Sequence, residues 1–391
     1  MEQNGKIRVL QFLNESVRAG AEEVAFELFR RLDPDKFRKY LVCPPELLET
    51  FSGDWQGENT VTLGLKLEDP WQWPAARQFT AFLRAEKIDV VHAHMIRGAL
   101  AAVPLARLAG VPVVVHTCHG LEVWRKSWIK RQYWIDRRIT NWSDATIAVS
   151  ESTASHLLQD KKLDPEKVKV IRNGRTLDGF KADAAVQDRL RAELGIRAES
   201  SVVGVFGRLE PQKAHKYLIE ALPSVRRQVP GLKVLVVGEG GLRQELEAHA
   251  AKLGLSEAVV FTGYRRDSMN LMALCDVIAL PSLYEGMPLV PIEAAVLGKA
   301  VVATAVDGTK EVVADGATGI LVPPQQPQAL ADAIIRLLLN PAERREMGER
   351  AGVRAREQFT LERQVQVTAD FYEGLLARRD RRTRHTVGSS I

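Results

Sequence analysis

The chain has 391 residues, 46% apolar and 26% charged, with 54 Lys and Arg against 49 Asp and Glu. That length exceeds one ordinary core and implies two domains, and the apolar fraction is that of a globular protein rather than a disordered one. The net charge of +5 suits an anionic ligand or surface without demanding one, and three scattered cysteines, Cys43, Cys118 and Cys275, fit neither a disulfide framework nor a metal-ligand spacing.

Residues 1–6 lead directly into a strand pattern at 7–13, so no signal peptide is expected. No apolar run suggests a membrane span, since 98–115 is interrupted by Pro104, Arg107 and Pro112. A polar loop, 14–22, carries Gly20 ahead of an amphipathic helix at 23–32, an arrangement that suits a phosphate. The pattern G-x-G-x-x-G is absent, so a nicotinamide cofactor is not indicated. A strand follows at 39–43, then an irregular stretch, 51–74, with Trp55, Trp71 and Trp73. Strand 88–93, helix 97–108 and strand 111–117 complete an alternation that means a parallel sheet wound on both faces.

Ligands of such sheets bind beyond the carboxyl ends of the strands, where His119 precedes Gly120 in a loop. A neutral imidazole there can bond a hydroxyl or help move a proton. His92, His94 and His116 lie in or beside strands and are expected to be packed and hydrogen-bonded. Between 121 and 142, Trp124, Trp128, Ile135, Ile139 and Trp142 recur at helical spacing among Arg125, Lys126, Lys130, Arg131, Arg137 and Arg138. A basic helix with tryptophans reads either as interfacial on an anionic membrane or as a core face with a solvated back. Strand 145–150, helix 151–158 and strand 167–171 end the first half, and 181–200 reads as a linker with a short helix.

The second half opens with strand 202–206, then Gly207, Arg208 and Leu209, with Lys213 ahead of a helix at 217–228. Strand 232–237 ends in Gly238, Glu239, Gly240 and Gly241, and strand 259–262 runs into Gly263, Tyr264 and Arg265. Strand 276–280 precedes the stretch around which the chain is organised, 281–293, which contains Pro281, Ser282, Tyr284, Glu285, Gly286, Met287, Pro288, Leu289 and Glu293. Gly286 permits close backbone approach to a ligand, Pro288 suits a first helical turn, and Glu293 falls about two turns into the helix. Gly298 reads as its glycine cap. Strands at 300–304 and 319–322 and helices at 328–339, 342–357 and 361–376 follow. The basic run 378–384 is expected to be disordered, with anionic lipid as an alternative partner.

The stretch 281–293 resembles the E-x7-E signature of the family-four retaining glycosyltransferases, the group 1 glycosyl transferases, and the likeness extends over about 6–376. It implies the GT-B fold: an α/β chain of two facing Rossmann-like doubly wound domains, with a C-terminal helix crossing back to the first. The boundaries expected are 1–180, 181–360, 361–376 and a basic tail, 377–391. The resemblance assigns the donor sugar to Glu285 and to the backbone of Gly286, Met287, Pro288 and Leu289, and the ribose hydroxyls to Glu293. Arg208 and Lys213 match a Gly-Arg-Leu-x-x-x-Lys-Gly motif whose cations hold the donor diphosphate, although Ala214 stands where the last Gly is usual. His119 would face donor sugar and acceptor. Gly20, in an Ala19-Gly20 version of the usual Gly-Gly, would touch donor phosphate or acceptor. Gly238 and Tyr264 would lie by the nucleotide. After Asn173-Gly174 the chain has Arg175-Thr176 instead of the usual Val-Asp.

The activity implied is transfer, with retention, of a sugar from a nucleotide-diphosphate donor to a hydroxyl of a glycan or lipid-linked acceptor, in polysaccharide, lipopolysaccharide or glycolipid assembly; with no Asp-x-Asp pattern in a strand-end loop and two cations at hand, no metal is expected. It would take place in the cytoplasm or on the inner face of the cell membrane. No cofactor and no nucleic acid are expected. The alternatives are a non-catalytic membrane-surface assembly protein on the same scaffold, and a nucleotide-sugar epimerase or phosphorylase.

Overall fold

A computed structural model describes residues 5–51, 60–120, 133–177, 180 and 182–388. The chain divides into two compact units, one formed by 1–173 with 361–391, the other by 174–360. The first holds a seven-stranded sheet: β1 (Ile7–Phe12), β2 (Phe37–Cys43), β3 (Thr60–Gly64), β4 (Val90–His94), β5 (Val113–Cys118), β6 (Ala145–Ala148) and β7 (Val168–Val170). Their order is β3-β2-β1-β4-β5-β6-β7, and every pairing is parallel. The second holds β8 (Val202–Phe206), β9 (Lys233–Val237), β10 (Val259–Gly263), β11 (Val277–Leu280), β12 (Ala300–Thr304) and β13 (Gly319–Val322). These run β10-β9-β8-β11-β12-β13, again parallel throughout. In each sheet the order reverses beside the first strand, between β1 and β4 and between β8 and β11. Such switch points open a crevice beyond the carboxyl ends of the strands.

Alternation along each strand decides what fills the two faces. In the first unit Leu10, Phe12, Val91, Ala93 and Val114 pack on one side with Phe79 and Leu83 of the helix Trp73–Ala85. Val9, Val90, Val113 and Val115 point to the other side and meet Tyr372 of the C-terminal helix Leu361–Gly388. In the second unit Val203, Val205, Val234 and Val236 pack with Leu218 and Leu222 of the helix His215–Gln228.

Several expectations change. The C-terminal helix continues to Gly388, through 378–384, where disorder was expected. Arginine is a good helix former, and no Gly or Pro interrupts the run between Gly374 and Gly388. The short helix expected within 181–200 forms as Ala184–Glu193, but it sets Leu190, followed by Ile196, into the second unit's core, so the segment belongs to that unit. The edge strand β3 lies inside a stretch expected to be irregular. The helix expected at 121–142 is described only as Tyr133–Trp142, and 121–132, with Trp124, Arg125, Lys126, Trp128, Lys130 and Arg131, lie outside the described residues. Its Trp134 and Trp142 are exposed while Ile139 is buried, so Ile139 and Trp142 do not share one buried face. Among the described residues no helix is long and apolar enough to cross a membrane.

Candidate active site

The second unit gathers its polar groups beyond β8 and β11. Lys213 Nζ lies 2.6 Å from Glu285 Oε1, although the two are 72 residues apart. Ser282 Oγ donates to the same oxygen at 2.6 Å, while Oε2 takes no bond among the described residues. Glu285 is 4% exposed. A carboxylate so buried needs a partner, and the ammonium together with the hydroxyl supplies one. The loop is tied down by three hydrogen bonds. Glu285 N–H donates to Asp307 Oδ2 at 3.2 Å, Gln212 Nε2 donates to Tyr284 O at 3.0 Å, and Leu283 N–H donates to Gln212 O at 2.8 Å. Gln212 immediately precedes Lys213, so the same contacts that seat the 282–285 loop also seat the lysine.

Two glycine pairs let backbones come closer than any side chain allows. A Cβ on Gly238 would stand 2.0 Å from Gly207 O, and one on Gly308 would stand 1.8 Å from Gly286 O. Gly207 and Gly238 both take positive φ, 146° and 142°, which an L side chain rarely adopts. Ala214 also sits at positive φ, 53°, directly after Lys213. This is the position where the resemblance led one to expect glycine.

The remaining expected residues of this unit are arranged differently. Arg208 is half exposed and pairs with Glu210 at 2.9 Å, not with Glu285. Glu293 pairs with Arg175. The short helix starts at Val290 with Pro291 in its first turn, so Pro288 and Leu289 precede it and Glu293 is in its first turn rather than the second. The irregular backbone from Ser282 to Leu289 delays the helix. Met287 is buried, and Tyr264 is exposed after β10. Arg175, Ser282, Asp307 and Gln212 were not singled out as site residues. Only Ser282 had a local signal, being three residues from Glu285; the others come from 22 to 118 residues away.

His215, next to Ala214, is also new: it is 2% exposed and neither ring nitrogen finds a partner among the described residues. Burial, and then the Lys213 charge, push its pKa down to about 4, so it is neutral at pH 7.

In the first unit Gly20 is the first residue of the helix Gly20–Arg31, whose cap Ala19 offers no side-chain bond. His119 stands just past β5, with Nε2 3.0 Å from His94 Nδ1. His94 Nε2 lies 2.7 Å from Gln11 Oε1, and Gln11 Nε2 lies 3.2 Å from Tyr372 Oη. The same hydroxyl is 2.5 Å from His92 Nδ1, and His92 Nε2 is 2.6 Å from Thr117 Oγ1. His92 and His94 are thus packed and bonded, as their strand positions suggested. Burial lowers the pKa of every one of these imidazoles, that of His119 to about 4 and that of His116 to about 3. What the unit offers at the end of β5 is therefore a neutral ring that can donate or accept but carries no charge.

Residues 18–178 match the family described as Glycosyltransferase Family 4, and residues 186–354 match the Glycosyl transferases group 1. The alpha-maltose-1-phosphate synthase of Mycolicibacterium smegmatis is 30% identical over 317 residues, which cover 75% of this chain and 81% of that protein. The Escherichia coli UDP-Gal:alpha-D-GlcNAc-diphosphoundecaprenol alpha-1,3-galactosyltransferase is 27% identical over 342 residues, covering 85% and 88%. Among solved structures, Anabaena HepE in complex with UDP-glucose superposes with a TM-score of 0.84 at 23% identity, over 94% of this chain and 100% of that one. WaaG, a glycosyltransferase involved in lipopolysaccharide biosynthesis, gives 0.72 at 19% identity over 94% and 100%. These likenesses establish two Rossmann-like domains of the GT-B type.

Proposed function

The chain belongs to the family-four, group 1 glycosyltransferases, and from that premise we propose that it moves a sugar from a nucleoside-diphosphate donor to an acceptor hydroxyl with retention at the anomeric carbon, without a metal. The observation that carries this reading is the pairing of the part-buried Lys213 with the buried Glu285, braced by Ser282. Lys213 is a cation next to a carboxylate whose second oxygen takes no bond among the described residues, so one ligand can present a phosphate to the first and a hydroxyl to the second. Arg208 adds a forked cation for the same diphosphate once it leaves Glu210. As the bond to the sugar breaks, negative charge grows on the leaving diphosphate, and these two cations stabilise it where it develops. Glu285 Oε2 accepts from a sugar hydroxyl and orients the ring. Glu293 takes the ribose hydroxyls in exchange for Arg175. The amides of Gly286, Met287 and Leu289 supply further donors, while Pro288, which has no N–H, shapes the loop that carries them. The nucleotide rests near Gly238 and Tyr264. Gly20 and His119 of the first unit serve the phosphate or the acceptor.

The acceptor proposed is a lipid-linked glycan, in keeping with the diphosphoundecaprenol-linked acceptor named for the Escherichia coli relative. The exposed Trp134 and Trp142, with the basic C-terminal helix, would hold the protein against an anionic membrane surface on the cytoplasmic side. Changing Arg125, Lys126, Lys130 and Arg131 to Ser should then weaken sedimentation with anionic vesicles, and unchanged sedimentation would remove the membrane from the reading.

The test of the reaction is direct. A screen of nucleotide sugars for thermal stabilisation selects the donor, and NMR of the product reads the anomeric configuration. Retention, with turnover intact in excess EDTA, is the expected result. Inversion, or loss of activity restored by added metal, would overturn that part of the proposal.

A further inference from the structure

The polar residues of the first sheet continue a row. On the face that meets the C-terminal helix, Val9 leads to Gln11, Val90 leads to His92 and His94, and Val113 and Val115 lead to Thr117. The register pairs Gln11 with His92 and His94 with Thr117. One face therefore changes from apolar to polar as its strands approach their carboxyl ends, at the switch point between β1 and β4. The polar groups are joined in single file from Tyr372, through Gln11 and His94, to His119.

Single file constrains protons. A neutral imidazole has one donor and one acceptor. His94 Nε2 faces Gln11 Oε1, which only accepts, so His94 carries its proton on Nε2 and presents a bare Nδ1. His119 Nε2 faces that bare nitrogen and must donate to it, which leaves His119 Nδ1 as the acceptor. On the other branch Gln11 Nε2 donates to Tyr372 Oη, the hydroxyl donates to His92 Nδ1, and His92 Nε2 donates to Thr117. Turning the Gln11 amide over would reverse every one of these bonds. Gln11 thus sets the polarity of the whole chain, and Tyr372, 361 residues away in sequence, carries it on to His92.

We propose that Gln11, His94 and Tyr372 are positioning residues that fix the tautomer of His119, keeping its proton on Nε2 and reserving Nδ1 to accept a hydrogen bond from a sugar hydroxyl. The link to sugar rests on the role given to His119 above; the tautomer does not. Specificity follows, because an acceptor-only nitrogen rewards a hydroxyl and rejects a group that can only accept.

The experiment is a two-bond proton–nitrogen correlation on the full, 15N-labelled chain, with turnover of the screened donor measured in parallel. The expected result is Nε2-protonated His92, His94 and His119 in the wild type. Gln11→Leu and Tyr372→Phe should each convert the His119 signals to an average of both tautomers. Gln11→Leu should also lower kcat/KM about tenfold, the scale of one hydrogen bond. Tyr372→Phe removes a single oxygen and serves as the readout if the leucine variant does not fold. A wild-type His119 protonated on Nδ1 overturns the proposal, as does a His119 signature untouched by both substitutions. Averaged tautomers with unchanged turnover overturn the link to the sugar alone, leaving the donor site built on Lys213 and Glu285 standing.

Discussion

In the second unit a buried carboxylate, Glu285, is matched by an ammonium 2.6 Å away, whereas in the first unit the carboxyl ends of β4 and β5 carry the imidazoles of His94 and His119, which desolvation keeps neutral. Both sheets are parallel and reverse their strand order beside the first strand, yet near that point one places a carboxylate–ammonium pair and the other neutral imidazoles. Fixed charge suits a ligand whose own charge rises during reaction, and neutral donors and acceptors suit hydroxyls. In the reading proposed above, one half holds the diphosphate and the other reads hydroxyls, and the difference lies in which residue types stand at the carboxyl ends of the strands.

The sharpest way to break the comparison is to remove the cation. Lys213→Ala leaves Glu285 buried beside Ser282 alone, and losing one partner of a buried pair costs about 3–5 kcal/mol. Urea unfolding should register that loss, and donor turnover should fall at least about a hundredfold. A graded effect is expected from acid. His92, His94, His116, His119 and His215 all have pKa values lowered by burial, those of His119 and His215 to about 4. The unfolded chain takes up protons near pH 6.5 that the folded chain refuses, so stability is complete above that pH and declines as pH falls from 6.5 towards 4. The slope should exceed about 1.4 kcal/mol per pH unit, the value for a single proton. A flat profile by denaturant titration across that window would show that the first unit's imidazoles are not held neutral.

Two milder substitutions sharpen the picture of the charged half. Ala214→Gly relieves a non-glycine residue at φ 53° and should stabilise the protein by roughly 0.5–1 kcal/mol, read as a rise in Tm. Arg208→Ala removes a half-exposed surface pair with Glu210, so stability should change by less than about 0.5 kcal/mol, while affinity for a nucleoside diphosphate should still fall about tenfold. Stability and binding are then separated at one residue.

The sequence displayed the alternation of strands and helices clearly, because buried parallel strands are runs of Val, Ile and Ala bounded by Gly and Pro. Lys213 and Glu285 were legible for a similar reason: each sits in a short loop right after such a strand. What escaped was set by partners far along the chain. Arg175 meets Glu293 across 118 residues, and Gln11 meets Tyr372 across 361, and neither pairing has a local signal. The edge strand β3 carries Thr60 and Thr62 and borrows its regularity from β2, so its composition did not announce it. The row Val90–His94 did alternate visibly, with His92 and His94 two residues apart on one face, but only the register with Gln11 and Thr117 shows what they bond.

The account depends most on Lys213 gripping a diphosphate next to Glu285. Calorimetric titration of UDP, or of whichever nucleoside diphosphate the donor screen selects, into wild type and Lys213→Ala tests this, with circular dichroism to confirm folding. Saturable binding by the wild type, weakened at least about thirtyfold in the folded variant, is the predicted result. Equal dissociation constants for the two proteins would contradict it.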